Sequence, residues 1–413
     1  DKVLLGRDVR LSSDEIYDAV VEGVTDAGAD VYDLGLSTTP MVYFATARYG
    51  FDASIQITAS HNTKEYNGMK VSRTNALPVG FDAGLGEIKR WIEEGRQMKI
   101  EKEKGKVIKF DKRDDYLTFL NGYKEDYSNL KIGMDLSNGM AALFVKDIFG
   151  DQPLYICDKM DGNFPNHEPN PLVEKNREDL KKLVLDNGCD VGVIYDGDAD
   201  RVMFIDENGR FISPDLMIAL LGHYFLEEKG EKGAVLQDIR SSKAVGEYLT
   251  PMGAEMHTWR VGRAFAAHKL RELNGVFGGE LAGHYYFRDF YYSDSGILAS
   301  LLILNVIAKL KNQGLSLSQQ ISRIEKYQNS GEINFKIESK KEAMDAVRDY
   351  FTSQEQPTAS FDFDGYRVEF NDWWFNVRPS NTEPYLRFLC EASTKELLDQ
   401  KVSKTKEIIN NFK

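Results

Sequence analysis

Short apolar, β-branched runs alternate with stretches of helical spacing along most of the chain, the pattern of successive βα units. Residues 3–5, 30–34 and 53–57 read as strands. Residues 14–27 and 87–94 read as helices, the first with Ser12-Ser13 as its N-cap. A polar, Lys-rich stretch at 101–106 breaks the pattern and marks a boundary. The alternation restarts with a helix at 114–123, a strand at 131–136, a helix at 176–186 and an apolar strand at 191–195. It restarts again beyond Gly209, with helices at 214–228, 243–249 and 296–311, a strand at 234–238 and a short strand ending at Val276-Phe277. Past Ile324 strand-like runs at 334–337, 366–370, 374–377 and 386–390 accompany helices at 341–351 and 396–411, an α+β pattern. Four domains are expected, 1–108, 109–210, 211–325 and 326–413. The first three read as α/β and the last as α+β.

At 413 residues the chain exceeds one ordinary core, given roughly 100–200 residues per domain. Lys and Arg number 52 against 65 Asp and Glu, a formal net charge of −13. That balance argues against nucleic acid as a partner, since phosphate backbones need clustered bases. A small anion in a locally basic cleft is still compatible with it. The three cysteines, Cys157, Cys189 and Cys390, show no spacing that implies a disulfide framework or a zinc site. A reducing, cytoplasmic setting is expected. The opening Asp1-Lys2-Val3-Leu4-Leu5 has no signal-peptide character. The longest apolar stretch, 297–310, is interrupted by Ser300, Asn305 and Lys309 and falls short of a bilayer span, so no membrane partner is expected.

Four stretches carry chemistry. Asp196-Gly197-Asp198-Ala199-Asp200-Arg201 follows an apolar strand and precedes the apolar run 202–205. Three carboxylates at alternating positions of a turn can converge on one hard cation. Glu207 falls at position 12 of a Ca²⁺ hand counted from Asp196, but position 6 is Arg201 instead of Gly and the flanks read as strands. Three carboxylates leave octahedral positions open, which suits Mg²⁺ and a phosphoryl oxygen. An ordinary solvated acidic turn is the plain alternative.

Thr58-Ala59-Ser60-His61-Asn62 follows another strand, where an exposed serine in a tight turn can be a nucleophile. His61 adjoins it, and neighbouring side chains of an extended chain point apart. Lys70, beyond the turn-prone Tyr66-Asn67-Gly68, can accept a proton if a cationic setting lowers its pKa. Arg378-Pro379-Ser380-Asn381-Thr382-Glu383-Pro384 offers convergent donors for a phosphate. Gly278-Gly279-Glu280-Leu281-Ala282-Gly283-His284 combines backbone room with a carboxylate able to accept two sugar hydroxyls. Each stretch alone is matched by a plain turn. Together they supply a nucleophile, a cation site, a sugar acceptor and a phosphate clamp, one in each expected domain.

With these motifs in this order, nearly the whole chain resembles the α-D-phosphohexomutase family, and within it the bacterial phosphomannomutase/phosphoglucomutase group. Residues 57–70 are similar to the family's phosphoserine loop, 196–201 to its metal loop, 280–284 to its sugar loop and 378–384 to its phosphate loop. Asp238-Ile239-Arg240-Ser241 and Val261-Gly262-Arg263 resemble further ligand-contacting loops.

The resemblance implies four domains around a central cleft, Mg²⁺ as cofactor, and hexose phosphates and a hexose bisphosphate as partners. It implies interconversion of hexose 6-phosphate and hexose 1-phosphate. Ser60 would carry the phosphoryl group, Asp196, Asp198 and Asp200 with Ser60 would hold the ion, Lys70 would handle the hydroxyl proton, and Arg201 would orient the phosphoserine. Arg240, Gly262, Arg263, Glu280, Ala282, His284, Arg378, Ser380, Asn381 and Thr382 would contact the sugar phosphate. Ala282 stands where the family has Ser, Arg263 where His is frequent, and Ala199 where Gly is commoner. The family's N-terminal strand and Arg-bearing loop have no counterpart before Gly6, so the N-terminus is expected to be incomplete. The stretch 285–290 resembles phosphomannomutases and favours mannose, with glucose next. A silent sugar-phosphate-binding protein, a Ca²⁺ module, a sugar phosphatase and a phosphoglucosamine mutase are the competing readings.

Overall fold

The computed structural model describes residues 1–96, 103–380 and 384–412. Four sheets lie along the described residues. The first holds Leu77–Pro78, Met69–Arg73, Ala53–Ile57, Lys2–Arg7, Asp30–Leu36 and Val107–Lys109, in that spatial order. The second holds Phe211–Ile212, Val202–Asp206, Val191–Tyr195, Ile132–Asp135 and Leu154–Ile156. The third holds Ala254–Trp259, Gly233–Asp238, Phe277–Gly279, Tyr285–Phe287 and Ser293–Asp294.

One plan recurs in these three sheets. The first, second and third strands of each are parallel, the first lying between the other two. The third then turns back into an antiparallel fourth. Parallel strands need covered faces, and runs such as Val191–Tyr195, buried at every residue, are what that demands. The fourth sheet is antiparallel throughout, built on Trp373–Pro379 and Tyr385–Ala392, with helices Lys340–Gln354 and Lys395–Asn410. Three mixed-sheet α/β domains and a C-terminal α+β domain are therefore present, as the patterning implies.

The helix Gly296–Asn312 is buried along nearly its whole length. Each fully buried Leu or Ile on it contributes on the order of 2 kcal/mol relative to exposure. The polar residues that interrupt its apolar run are cross-links. Ser300 bonds the Tyr195 hydroxyl at 2.6 Å, and the Asn305 amide donates to the Tyr123 carbonyl at 2.9 Å. No helix among the described residues is long and apolar enough to cross a membrane. The largest apolar cluster runs from Leu4 to Ile324, and the fourth domain keeps its own, from Phe335 to Ile409.

The fourth domain docks on the third through polar groups. Arg367, fully buried, donates to the carbonyls of Ile239 at 2.9 Å and Ser241 at 2.6 Å. Lys243 reaches the Phe370 carbonyl at 3.0 Å.

Several elements differ from the sequence reading. The helix Thr39–Arg48 was not expected, because residues 39–46 are all buried and no amphipathic period shows. The helix Ser13–Asp26 has no side-chain cap from Ser12, and the Ser13 hydroxyl donates instead to Asp8 at 2.6 Å. The helical run from Pro214 continues as a wider π-type coil at His223–Glu228. The stretch 101–106 lies partly outside the described residues.

Candidate active site

The Ser60, aspartate and Glu280 loops occupy the same topological place, the turn from the third parallel strand into its antiparallel partner. They run from Ile57 to Met69, from Tyr195 to Val202 and from Gly279 to Tyr285. In α/β sheets, ligands bind outside the carboxyl ends of the parallel strands.

The Ser60 loop is held open by Arg10. That buried guanidinium donates to the carbonyls of Ser60 at 2.9 Å, Asn62 at 2.7 Å, Thr63 at 2.7 Å and Tyr66 at 3.1 Å. Its Nε is fixed by Asp8 at 3.1 Å. Ser60 itself takes φ +53, a left-handed conformation that costs an L-residue about 1–2 kcal/mol. That kink breaks the extended run, so His61 does not point away as alternation implies. Its Nδ1 lies 3.4 Å from Ser60 Oγ. Burial, with Arg201 and Lys70 nearby, pulls His61 down to about 3, so the ring is neutral. Ser60 Oγ donates to Asp196 Oδ2 at 2.9 Å.

Asp196, Asp198 and Asp200 are fully buried, and each offers an oxygen within 4.8 Å of the others'. Thr39 donates its hydroxyl to Asp198 and its N–H, at 3.1 Å, to the Asp198 carbonyl. Ala199 takes φ +63, which explains physically why glycine suits that position. Met140 N–H donates to Gly197 O at 2.9 Å and Gly296 N–H to Ala199 O at 3.1 Å, so three domains grip the turn. Lys70 Nζ lies 2.6 Å from Asp198 Oδ2 and pairs with Asp200. Arg201 Nε stands 3.8 Å from both Asp196 and Asp200.

Three buried carboxylates against two cations leave negative charge uncompensated, and Asp198 Oδ1 and Asp200 Oδ1 have no hydrogen-bond partner among the described residues. Burial, with Asp198 and Asp200 beside it, raises Asp196 well above the usual carboxylate range. An all-oxygen donor set with orphaned acceptors fits a hard divalent cation. Glu207 takes no part, since its carboxylate accepts from Ser318 N–H at 3.1 Å and from the Ser318 hydroxyl at 2.5 Å. Lys70 sits in an anionic setting, not the cationic one that would make it a proton acceptor. Burial lowers its proton affinity, but Asp198 and Asp200 outweigh burial and hold the ammonium well above its ordinary value.

Glu280 is buried, and burial raises its pKa. It accepts from Tyr286 Oη at 2.6 Å and stands 4.0 Å from Arg240. Arg240 is forked onto Asp238, with Nη2 to Oδ2 at 2.6 Å and Nε to Oδ1 at 3.2 Å. Asp294, buried and depressed to about 2 despite its burial by His284 and Arg263, ties two expected sugar contacts together. It accepts from His284 Nδ1 at 2.6 Å and from Arg263 Nε at 3.0 Å.

Ser60, Lys70, Asp200, Arg201, Arg240, Gly262, Arg263, Glu280, Ala282 and His284 all line one cleft of about 510 Å³. Asp196 and Asp198 lie behind it, in contact with Ser60 and Lys70. Arg378 and Ser380 do not line that cavity. Arg378 is buried near Asp364, at 4.0 Å, and burial followed by the nearby Arg240 lowers its pKa. Asn381 and Thr382 lie outside the described residues. Sequence reasoning missed Arg10, Thr39 and Asp294, though Arg10 lies just past the strand Lys2–Arg7.

Comparison with known proteins agrees with this geometry. Family models described as phosphoglucomutase/phosphomannomutase alpha/beta/alpha domains I, II and III match residues 1–99, 114–209 and 213–327. The model of the family's C-terminal domain matches 332–407. A phosphomannomutase of Escherichia coli K12 is 36% identical over 416 residues, covering 96% of this chain and 90% of that protein. One from Methanocaldococcus jannaschii is 34% identical over 418 residues, covering 99% and 90%. The crystal structure of a phosphoglucomutase/phosphomannomutase family protein from Burkholderia thailandensis superposes with a TM-score of 0.87 at 26% identity, over 100% of this chain and 89% of that one. With all four domains matched and that identity sustained along its length, this chain belongs to the phosphoglucomutase/phosphomannomutase family.

Proposed function

We propose that the protein is a phosphohexomutase that interconverts hexose 6-phosphate and hexose 1-phosphate through a phosphoserine at Ser60 and a bisphosphorylated sugar. The observation that carries the reading is the Ser60 hydroxyl, 2.9 Å from Asp196, at the floor of a cleft that also presents Lys70, Arg201 and Glu280. Ser60 donates its phosphoryl group to the free sugar hydroxyl and recovers one from the other end of the sugar after the sugar turns round. Arg201 lines the same cleft as the serine and offsets charge on the transferring group.

Lys70 handles the hydroxyl proton, and its carboxylate partners favour it as a donor to the oxygen that loses phosphate. Glu280 accepts sugar hydroxyls, with Tyr286 fixing its orientation. Arg240, Arg263, His284, Gly262 and Ala282 line the sugar's path. Arg378 and Ser380, with Asn381 and Thr382, bind the distal phosphate. The fourth domain's polar docking lets it close and exclude water, which would otherwise hydrolyse the phosphoserine.

Asp196, Asp198 and Asp200 would hold Mg²⁺, which when bound stabilises charge on the phosphoryl group in flight. The domain limits 1–108, 109–210, 211–325 and 326–413 place one loop in each domain. Mannose phosphate is favoured as substrate, on the run 285–290 and on the curated relatives' names. Cytoplasmic placement is part of the same reading.

The test is Ser60→Ala in a coupled assay with mannose 1-phosphate, glucose 1-phosphate and glucosamine 1-phosphate side by side. Turnover should be abolished while substrate binding persists, and the wild type should show its highest kcat/KM with mannose. Retained turnover in Ser60→Ala refutes the role of Ser60. Release of inorganic phosphate without isomerisation would favour the phosphatase reading.

A further inference from the structure

At the ends of the strands Ile132–Asp135 and Leu154–Ile156 of the second sheet, three side chains from separate stretches converge. A carboxylate oxygen of Asp135, the sulfur of Cys157 and a ring nitrogen of His167 all lie within 4.8 Å of one another. Asp135 is fully buried and the His167 side chain is 7% exposed. His167 Nδ1 lies 2.8 Å from the Glu168 carbonyl, so that nitrogen carries the ring hydrogen. Nε2 then faces Asp135 Oδ2 at 2.9 Å. In a neutral imidazole that nitrogen is a lone pair, and a carboxylate oxygen only accepts. Two acceptors in contact need a positive centre between them, either a proton or a metal ion.

The donor set favours the metal. A carbonyl that holds the remote ring N–H is the partner that fixes a metal-ligating histidine. Sulfur, nitrogen and one carboxylate oxygen within 4.8 Å of one another are the ligand types that a tetrahedral ion with three protein ligands and one exchangeable position takes. That set is unlike the all-oxygen aspartate trio, and spacing along the chain gave no sign of it.

We propose that Asp135, Cys157 and His167 form a second cation site, for a borderline transition metal of the zinc class. On binding, metal–sulfur, metal–nitrogen and metal–oxygen bonds form. The thiol proton and the proton between His167 and Asp135 leave to solvent, and no oxidation state changes. The site is placed to brace the catalytic turn. Asn138 N–H donates to the Cys157 carbonyl at 2.8 Å, the Ser137 hydroxyl to the Tyr195 carbonyl at 2.6 Å, and Met140 N–H to Gly197 O at 2.9 Å.

The experiment titrates chelator-treated, full-length protein with Co²⁺ and follows near-ultraviolet absorption, where a thiolate–cobalt bond gives a charge-transfer band that oxygen ligation does not. The band should form in the wild type, persist in Asp198→Ala, fall away in Cys157→Ser, shift or weaken in His167→Gln, and be displaced by Zn²⁺. Cys157→Ser should also bind one equivalent of Zn²⁺ fewer in competition with a chromophoric chelator. A wild type without the band overturns the proposal with no variant needed and leaves the pair as an imidazolium–carboxylate contact. A band that survives in Cys157→Ser, is unaltered in His167→Gln, or is lost in Asp198→Ala also overturns it.

Discussion

Gly197 presses on the backbone of Ser60 so closely that a Cβ at Gly197 would stand 2.4 Å from the Ser60 carbonyl oxygen. The neighbour is backbone, which cannot swing aside, so Gly197→Ala must push the serine and aspartate loops apart. A displacement of about 1 Å in a reacting constellation can cost roughly a hundredfold in rate. A fall of that order in kcat is expected, with a stability loss of about 1–3 kcal/mol in denaturant titration. Wild-type kinetics would show that the two loops are not mechanically joined here.

Arg10 satisfies four loop carbonyls at once. Lysine supplies a point charge and cannot reproduce the planar fork. Arg10→Lys is expected to lose about 3 kcal/mol of stability and most of the activity, because loop carbonyls, that of Ser60 buried among them, are left without donors. Proteolysis between residues 58 and 68, compared with the wild type, reads the loosened loop directly.

Glu391, in the fourth domain, accepts from Ser242 Oγ at 2.7 Å, Trp374 Nε1 at 2.7 Å and Asn329 Nδ2 at 2.8 Å. Burial, with Asp215 adding, pushes its carboxyl up to about 7. The folded chain therefore binds a proton there that the unfolded chain has already released above its own, lower pKa. The stabilisation is complete below about pH 4.5 and is lost as pH rises through about 7. At about 1.4 kcal/mol per pH unit of difference, up to about 3 kcal/mol is at stake. Glu391→Gln should flatten this part of the stability profile, so the difference between wild type and variant from acid to neutral pH is the measurement. Parallel profiles would contradict the shift.

Chelation of divalent cations should stop turnover, and Mg²⁺ should restore it better than Ca²⁺. Three carboxylates leave coordination positions suited to the smaller, octahedral ion. A coupled assay with each metal checks this. Undiminished rates in excess chelator would remove the cation from the reaction.

The residues that make chemistry were readable because chemistry constrains identity at short spacing: the serine after a strand, the alternating aspartates, the glycine-flanked Glu280. The supports were less readable because they act at a distance. Arg10 is 50 residues from the serine whose carbonyl it holds, and Thr39 is 159 residues from Asp198. The helix Thr39–Arg48 carries no amphipathic stripe because its first eight residues are buried. The orientation of His61 is not legible from alternation, because it follows a left-handed residue. The electrostatics of Lys70 are not legible in the sequence, since its neighbours Asp198 and Asp200 come from 128 and 130 residues away.

The apolar cluster running from Leu4 to Ile324 has a thermal consequence. Side chains from three sheets cannot be parted without wetting a common interior, so heat should melt them in a single cooperative step. The last eighty or so residues, with an interior of their own and a polar seam, are free to unfold in a separate step. Calorimetry should resolve two transitions of unequal enthalpy, and a sugar phosphate bridging the seam should draw them together.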